Sequence, residues 1–201
     1  MRKSILSLVC LVSMLSFSTS SYAAVSIEDQ QELKKVMALT DKNEQLKRVD
    51  VYLGSHPHSA LVLGFRSQLH CCLSQSAESI RDADRYFMLK PDPVEPSVYR
   101  ARIISLLRIG QPNKALSDLD ALRKLTPDDS DTMRLRALAL DMLGRSSEAL
   151  AIASQAVKLN NIDALQIKAI TELKLNKMAD GVRDTIEFAK KSKNTDRKSV
   201  V

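Results

Sequence analysis

Two glycines and two alanines constrain this chain more than anything else in it. Gly110 and Gly144 stand 34 residues apart, as do Ala115 and Ala149, within the related stretches "LRIGQPNKAL" and "DMLGRSSEAL". Around the second pair, Met133, Ala137, Leu140 and Leu143 recur at helical spacing, and Leu150, Ala153, Ala156 and Val157 do so again beyond Gly144. That is a helix, a turn and a second helix. A hairpin of this size cannot bury both apolar faces alone, so like units must stack on one another.

The same period divides the chain into five segments: 26–59, 60–95, 96–129, 130–161 and 162–193. The second is two residues longer than 34 and the fourth two shorter. At the turn, segments two to five place Ser74, Gly110, Gly144 and Asn176, and glycine or asparagine there can take the left-handed conformation that ends a helix. Thr40 in the first segment suits that role poorly. Early in each second helix stand Gln45, Ser79, Ala115, Ala149 and Gly181, mostly small, so that the two helices can approach closely. Pro57, Pro91 and Pro127 follow the second helices, where proline prevents continuation; Asn161 takes that place in the fourth segment and blurs its boundary.

These residues resemble the tetratricopeptide repeat (TPR) family, most specifically in segments three and four. The resemblance implies an all-α chain: an α-solenoid of about five TPR-like helix-turn-helix repeats over 26–191, forming a right-handed superhelix with a concave groove. The few aromatic and β-branched runs agree with a mostly helical chain.

Charge and cysteine usage narrow the function. The net charge of +6 is concentrated at the two ends, with Arg2 and Lys3 at one and Lys190, Lys191, Lys193, Arg197 and Lys198 against Asp196 at the other. The body between is near neutral, which removes the main support for a nucleic-acid partner. The start has a basic opening, an apolar run over 5–17 and small residues at Ser21 and Ala23, the pattern of a secretory signal peptide occupying 1–23 and cleaved after Ala23. The run is too short and too interrupted by serine to span a bilayer stably. Export leaves Cys71 and Cys72, whose adjacency does not suggest a disulfide framework. From 192 to 201 no apolar periodicity remains, and a basic disordered tail is expected there.

Arg66, Arg102, Arg136 and Lys168 occupy one place in successive first helices, and sixteen residues later stand Asp82, Asp118, Ile152 and Asp184. Salt bridges within each hairpin are expected for three of them, leaving Arg136 as the cation without a matched acid. His56, His58, His70, Cys71 and Cys72 lack the paired donor spacing of a metal site, so no metal or cofactor is expected. His70 and Cys71 are neighbours on a helix and point about 100° apart, a poor base and nucleophile. No phosphate-binding glycine loop or G-x-S-x-G occurs, and the chain does not read as an enzyme.

In tetratricopeptide domains the first helices line the concave surface. Carried onto this chain, that implies a partner-binding groove of Arg100, Ile104, Arg108, Arg134, Leu138, Met142, Gln166, Ile170 and Lys174. An apolar strip beside arginines suits an extended peptide with an acidic group and one or two apolar anchors. The family's carboxylate clamp of paired Lys and Asn is not reproduced. Together with the signal peptide, the resemblance implies a non-catalytic periplasmic or secreted scaffold that binds a protein or peptide partner in assembling an envelope machine such as a pilus, a secretion system or a cytochrome. The alternative is a homo-oligomeric structural protein associating through an open carboxy-terminal end, where Val182, Ile186, Phe188 and Ala189 are expected to leave apolar surface exposed.

Overall fold

The computed structural model describes residues 26–198 apart from Lys90 and Asp128. The expected signal peptide therefore lies outside the described residues. Ten helices occur among them: α1 (Ile27–Met37), α2 (Lys42–Ser55), α3 (Ala60–Cys72), α4 (Ser76–Met88), α5 (Pro96–Arg108), α6 (Pro112–Leu125), α7 (Ser130–Met142), α8 (Ser146–Lys158), α9 (Ile162–Lys174) and α10 (Met178–Lys198). No strand occurs among the described residues, and none of these helices is long and apolar enough to cross a membrane. The chain divides into two compact units, Met1–Ile109 and Gly110–Val201.

Local chemistry sets the helix ends. Ser74, Gly110, Gly144 and Asn176 all adopt positive φ, between 60° and 74°, as their turn positions require. At three of these turns the next amide reaches back to close the helix: Gln75 N–H to the His70 carbonyl, Arg145 to Leu140 and Lys177 to Glu172, each at 2.8–2.9 Å. Asn160, which the sequence reading did not single out, also has φ 62° and terminates α8. Asn161 then caps α9 by accepting from the Ala164 amide at 2.9 Å, and its Nδ2 donates to Ser130 Oγ and Asp131 Oδ1 at 3.3 and 3.2 Å. The boundary expected to blur without proline is thus made sharply by two asparagines. Asn161→Ala is expected to lower stability by about 1–2 kcal/mol, because it loses the cap and the tie to α7 together; urea denaturation checks this, and an unchanged midpoint would refute it.

In the first unit, α3 is buried nearly all round. Its Leu63, Phe65 and Leu69 pack with Val36, Val49, Leu53, Tyr86 and Val98 in one core. Gly64 has the Val98 side chain 2.9 Å and the Tyr86 ring 3.2 Å from where a Cβ would sit, so α3 lies hard against both neighbours. In the second unit the core is mostly alanine and leucine: Ala115, Leu119 and Leu122 on α6, Ala137 and Leu140 on α7, Ala149, Ala153 and Ala156 on α8, and Ala164, Leu165 and Ala169 on α9. The small crossing residues behave as their spacing predicts, with Ser79, Ala115 and Ala149 fully buried. Gly181 brings α10 so near α9 that a Cβ would meet Leu173 at 2.7 Å and the Ala169 carbonyl at 3.1 Å. Gly181→Val is expected to push α10 off α9, costing about 1–3 kcal/mol by overpacking, which amide hydrogen exchange along α10 would detect; unchanged protection there would contradict it.

The charged residues follow a rule only partly visible in sequence. Arg66 donates to Asp82 from Nε and Nη2 at 2.7 and 2.6 Å, and Lys168 pairs with Asp184, as the sixteen-residue spacing predicts. Arg102 and Asp118 belong to different units. Another acid reaches the next repeat instead: Asp84 and Asp120, two places after Asp82 and Asp118, take Arg102 and Arg136 at 2.6 Å, and Asp50, two places after Arg48, takes Arg66 at 2.8 Å. Arg136 is therefore not the free cation that the sequence reading left it. These cations sit on first helices within reach of the second helix of the preceding repeat, and Arg66 is held by acids on both sides. In α8 the two corresponding places hold Ile152 and Ser154, and Lys168 is completed by Glu172 on its own helix at 2.8 Å. Burial alone would raise the pKa of Asp184, but hydrogen bonds from Lys168 and Arg183 hold it below its ordinary value.

α10 runs as helix to Lys198, through most of the stretch expected to be disordered. Between Met178 and Lys198 the only glycine is Gly181, in the first turn, and there is no proline, so nothing in the local chemistry stops the helix.

Candidate functional site

The nine expected groove residues fall into two groups. Arg100, Ile104 and Arg108 lie on α5 in the first unit; Arg134, Leu138 and Met142 lie on α7, and Gln166, Ile170 and Lys174 on α9, in the second.

On α5, Arg100 and Ile104 are half-buried. Arg108 is exposed but committed, since its Nη1 donates to the Cys71 carbonyl at 2.6 Å and lies 3.7 Å from Cys71 Sγ. This contact covers Cys71, which is a free thiol 2% exposed. Burial pushes its pKa up, against the opposing influence of Arg108, so the reactive thiolate is disfavoured. His70 faces elsewhere: its Nδ1 meets Gln75 Oε1 at 2.6 Å and its Nε2 lies 3.5 Å from Asp82.

The second unit holds the more open arrangement. Leu138, Asp141 and Met142 are spaced i, i+3, i+4 and so share one face of α7; Ile170 and Lys174, four apart, share one face of α9. The two faces are joined by Lys174 Nζ donating to Asp141 Oδ2 at 2.6 Å. Met142 and Ile170 are each 43% exposed, in contrast to Leu140 at 4% in the core. Leu138 is half-buried and Gln166 is exposed. Arg134 is turned onto its own helix, with Nε donating to Asp131 at 3.1 Å.

The result is an apolar strip bordered by an ion pair. It differs from the arginine-lined strip expected from sequence, because Arg134 and Lys174 already have carboxylate partners. Asp141 stands at a groove-lining place of the repeat but is not among the nine expected binding residues. Its side chain is 10% exposed, and its Oδ1 is buried with no hydrogen-bond partner among the described residues. Its spacing of 33 residues from Lys174, close to one repeat, was the available signal.

No protein-family model matches the chain, and no curated protein does. Solved structures do. One is MamA (residues 41 to the end) from Desulfovibrio magneticus RS-1, at 16% identity and TM-score 0.72, covering 86% of this chain and 99% of that one. Another is YrrB, described as a TPR protein with an unusual peptide-binding site, at 13% identity and TM-score 0.66, covering 81% and 84%. A third is TTC0263, a thermophilic TPR protein of Thermus thermophilus, at 16% identity and TM-score 0.62, covering 81% and 90%. With helix hairpins of 34-residue period, left-handed turns and small crossing residues already in place, this likeness settles the architecture. The chain has the all-α tetratricopeptide-repeat fold.

Proposed function

We propose that this protein is an exported, non-catalytic scaffold that holds an extended segment of a protein partner along α7 and α9. One observation carries the reading: Leu138, Met142 and Ile170 form a partly exposed apolar strip on two first helices tied together by Asp141 and Lys174. Side chains half out of water at the middle of a unit offer a partner apolar burial that the fold itself leaves unused. The buried, unpartnered Asp141 oxygen offers an acceptor that an N–H of the partner can fill. Since Arg134 and Lys174 already hold carboxylates, apolar anchors contribute more to affinity here than an acidic group does. The peptide-binding site named for YrrB supports the same use of the fold.

Export rests on the basic opening, the apolar run over 5–17 and the Ser21 and Ala23 pattern, which favour a mature protein in the periplasm or outside the cell. Assembly of an envelope machine is the setting this reading favours.

The test is capture of a partner from the organism's own envelope fraction. Leu138→Asp with Ile170→Asp is expected to weaken capture at least about tenfold while helicity stays unchanged. Equal capture by the variant overturns the groove reading. A mature protein beginning at Ala24 supports export; an intact Met1 on the protein recovered from cells overturns it.

A further inference from the structure

A separate surface lies on the last helix. α10 seats one face on α9 through Gly181, closely packed, and Asp184, 3% exposed and paired with Lys168. Turned away from that face, Met178, Val182 and Ile186 are 61%, 50% and 50% exposed, and Ala189 is exposed beside them. At about 100° per residue these four fall within roughly a quarter-turn, so they form one apolar stripe. Beside it runs Lys190, exposed, and the sequence places Lys193 and Arg197 three and seven residues further on in the same helix. From 190 to 198 five cations stand against Asp196, and one of them, Lys191, is paired with Glu187 on the preceding turn at 2.6 Å. Because α10 has 21 residues against 13 in α9, its basic end continues about 12 Å past the start of its hairpin partner, at 1.5 Å per residue. The basic positions therefore follow the apolar stripe along one continuous helix, which a loose tail could not arrange.

We propose that α10 docks on an anionic lipid surface, lying in the plane of the headgroups with its apolar stripe inserted and its lysines against lipid phosphates. A helix with an apolar face and a basic flank has the form of an interfacial helix. The area argues against a second copy as the occupant: three half-exposed side chains present roughly 300 Å² of apolar surface, well short of the ~800 Å² per partner in a stable protein interface. A membrane needs less apolar area, because each lysine near an anionic surface adds its own attraction. This surface is independent of the strip on α7 and α9, so either can fail alone.

The test is co-sedimentation of the protein, as cells process it, with vesicles of phosphatidylcholine alone or of phosphatidylcholine mixed with phosphatidylglycerol. Any contribution of the amino-terminal segment is common to all variants. Binding is expected to the anionic vesicles only, and to weaken steeply as salt rises. Val182→Asp with Ile186→Asp, and separately Lys190→Glu with Lys193→Glu, are each expected to reduce it about tenfold or more. Helicity is expected to be retained, because Val182, Ile186 and Lys190 are exposed. No anionic-vesicle binding, or binding by both variants equal to that of the parent, overturns the proposal. So does light scattering that shows a dimer abolished by these substitutions without vesicle binding, since the face would then belong to a second copy.

Discussion

Phe65→Ala is expected to destabilise the protein by about 3–5 kcal/mol. The side chain is 1% exposed at the centre of α3, whose Leu63 and Leu69 are also fully buried. Truncation loses the transfer free energy of the ring and opens a cavity. The surroundings cannot close it, because α3 is already packed at Gly64 so closely that a Cβ there would lie 2.9 Å from Val98 and 3.2 Å from the Tyr86 ring. Thermal unfolding followed by circular dichroism should show a fall of roughly 10 °C or more. Phe65→Leu keeps most of the volume and is expected to recover over half of the loss. A shift below about 1 kcal/mol for the alanine variant would mean that this core is looser than the packing indicates.

Asp82→Ala is expected to cost about 3 kcal/mol, far more than an ordinary surface ion pair. Asp82 is 3% exposed and accepts two of the three Arg66 hydrogen bonds, with His70 Nε2 3.5 Å away. Removing it leaves the Arg66 guanidinium, only 17% exposed, with Asp50 as its remaining carboxylate. Asp50 is 52% exposed and screened by water, so it cannot replace a buried bidentate partner. The matching control is Asp50→Ala, expected to cost less than about 1 kcal/mol. Chemical denaturation of the two variants separates them, and the Asp82 loss should persist in high salt where that of Asp50 fades. Equal losses would show that burial does not set the strength of these pairs.

The repeat itself was legible because its determinants are local. Ser74, Gly110, Gly144 and Asn176 were identifiable as turns because left-handed backbone is a single-residue requirement. Small residues at the helix crossing were legible for a similar reason, since only a narrow side chain fits there. The partners of the cations were legible only by half. Asp82 and Asp184 lie in the same hairpin as Arg66 and Lys168, at a separation set by one turn. Asp50, Asp84 and Asp120 reach cations of the following repeat, 16 or 18 residues on depending on loop length, and that register depends on how hairpins stack.

By itself, then, the sequence determined the period, the turns, the small crossing residues and hence the hairpin as the building block. These follow from backbone conformation and side-chain size, which act within a few residues. Tertiary structure alone decided which apolar residues were left over and which charges were already spoken for. Met142 and Leu140 are both apolar, yet one is 43% exposed and the other 4%, because only α7's neighbours determine which face is covered. Arg108 and Arg134 were expected to be available to a partner; the structure gives them the Cys71 carbonyl and Asp131. It also extends α10 as helix, so that basic positions the sequence reading had divided between a last repeat and a tail follow an exposed apolar stripe.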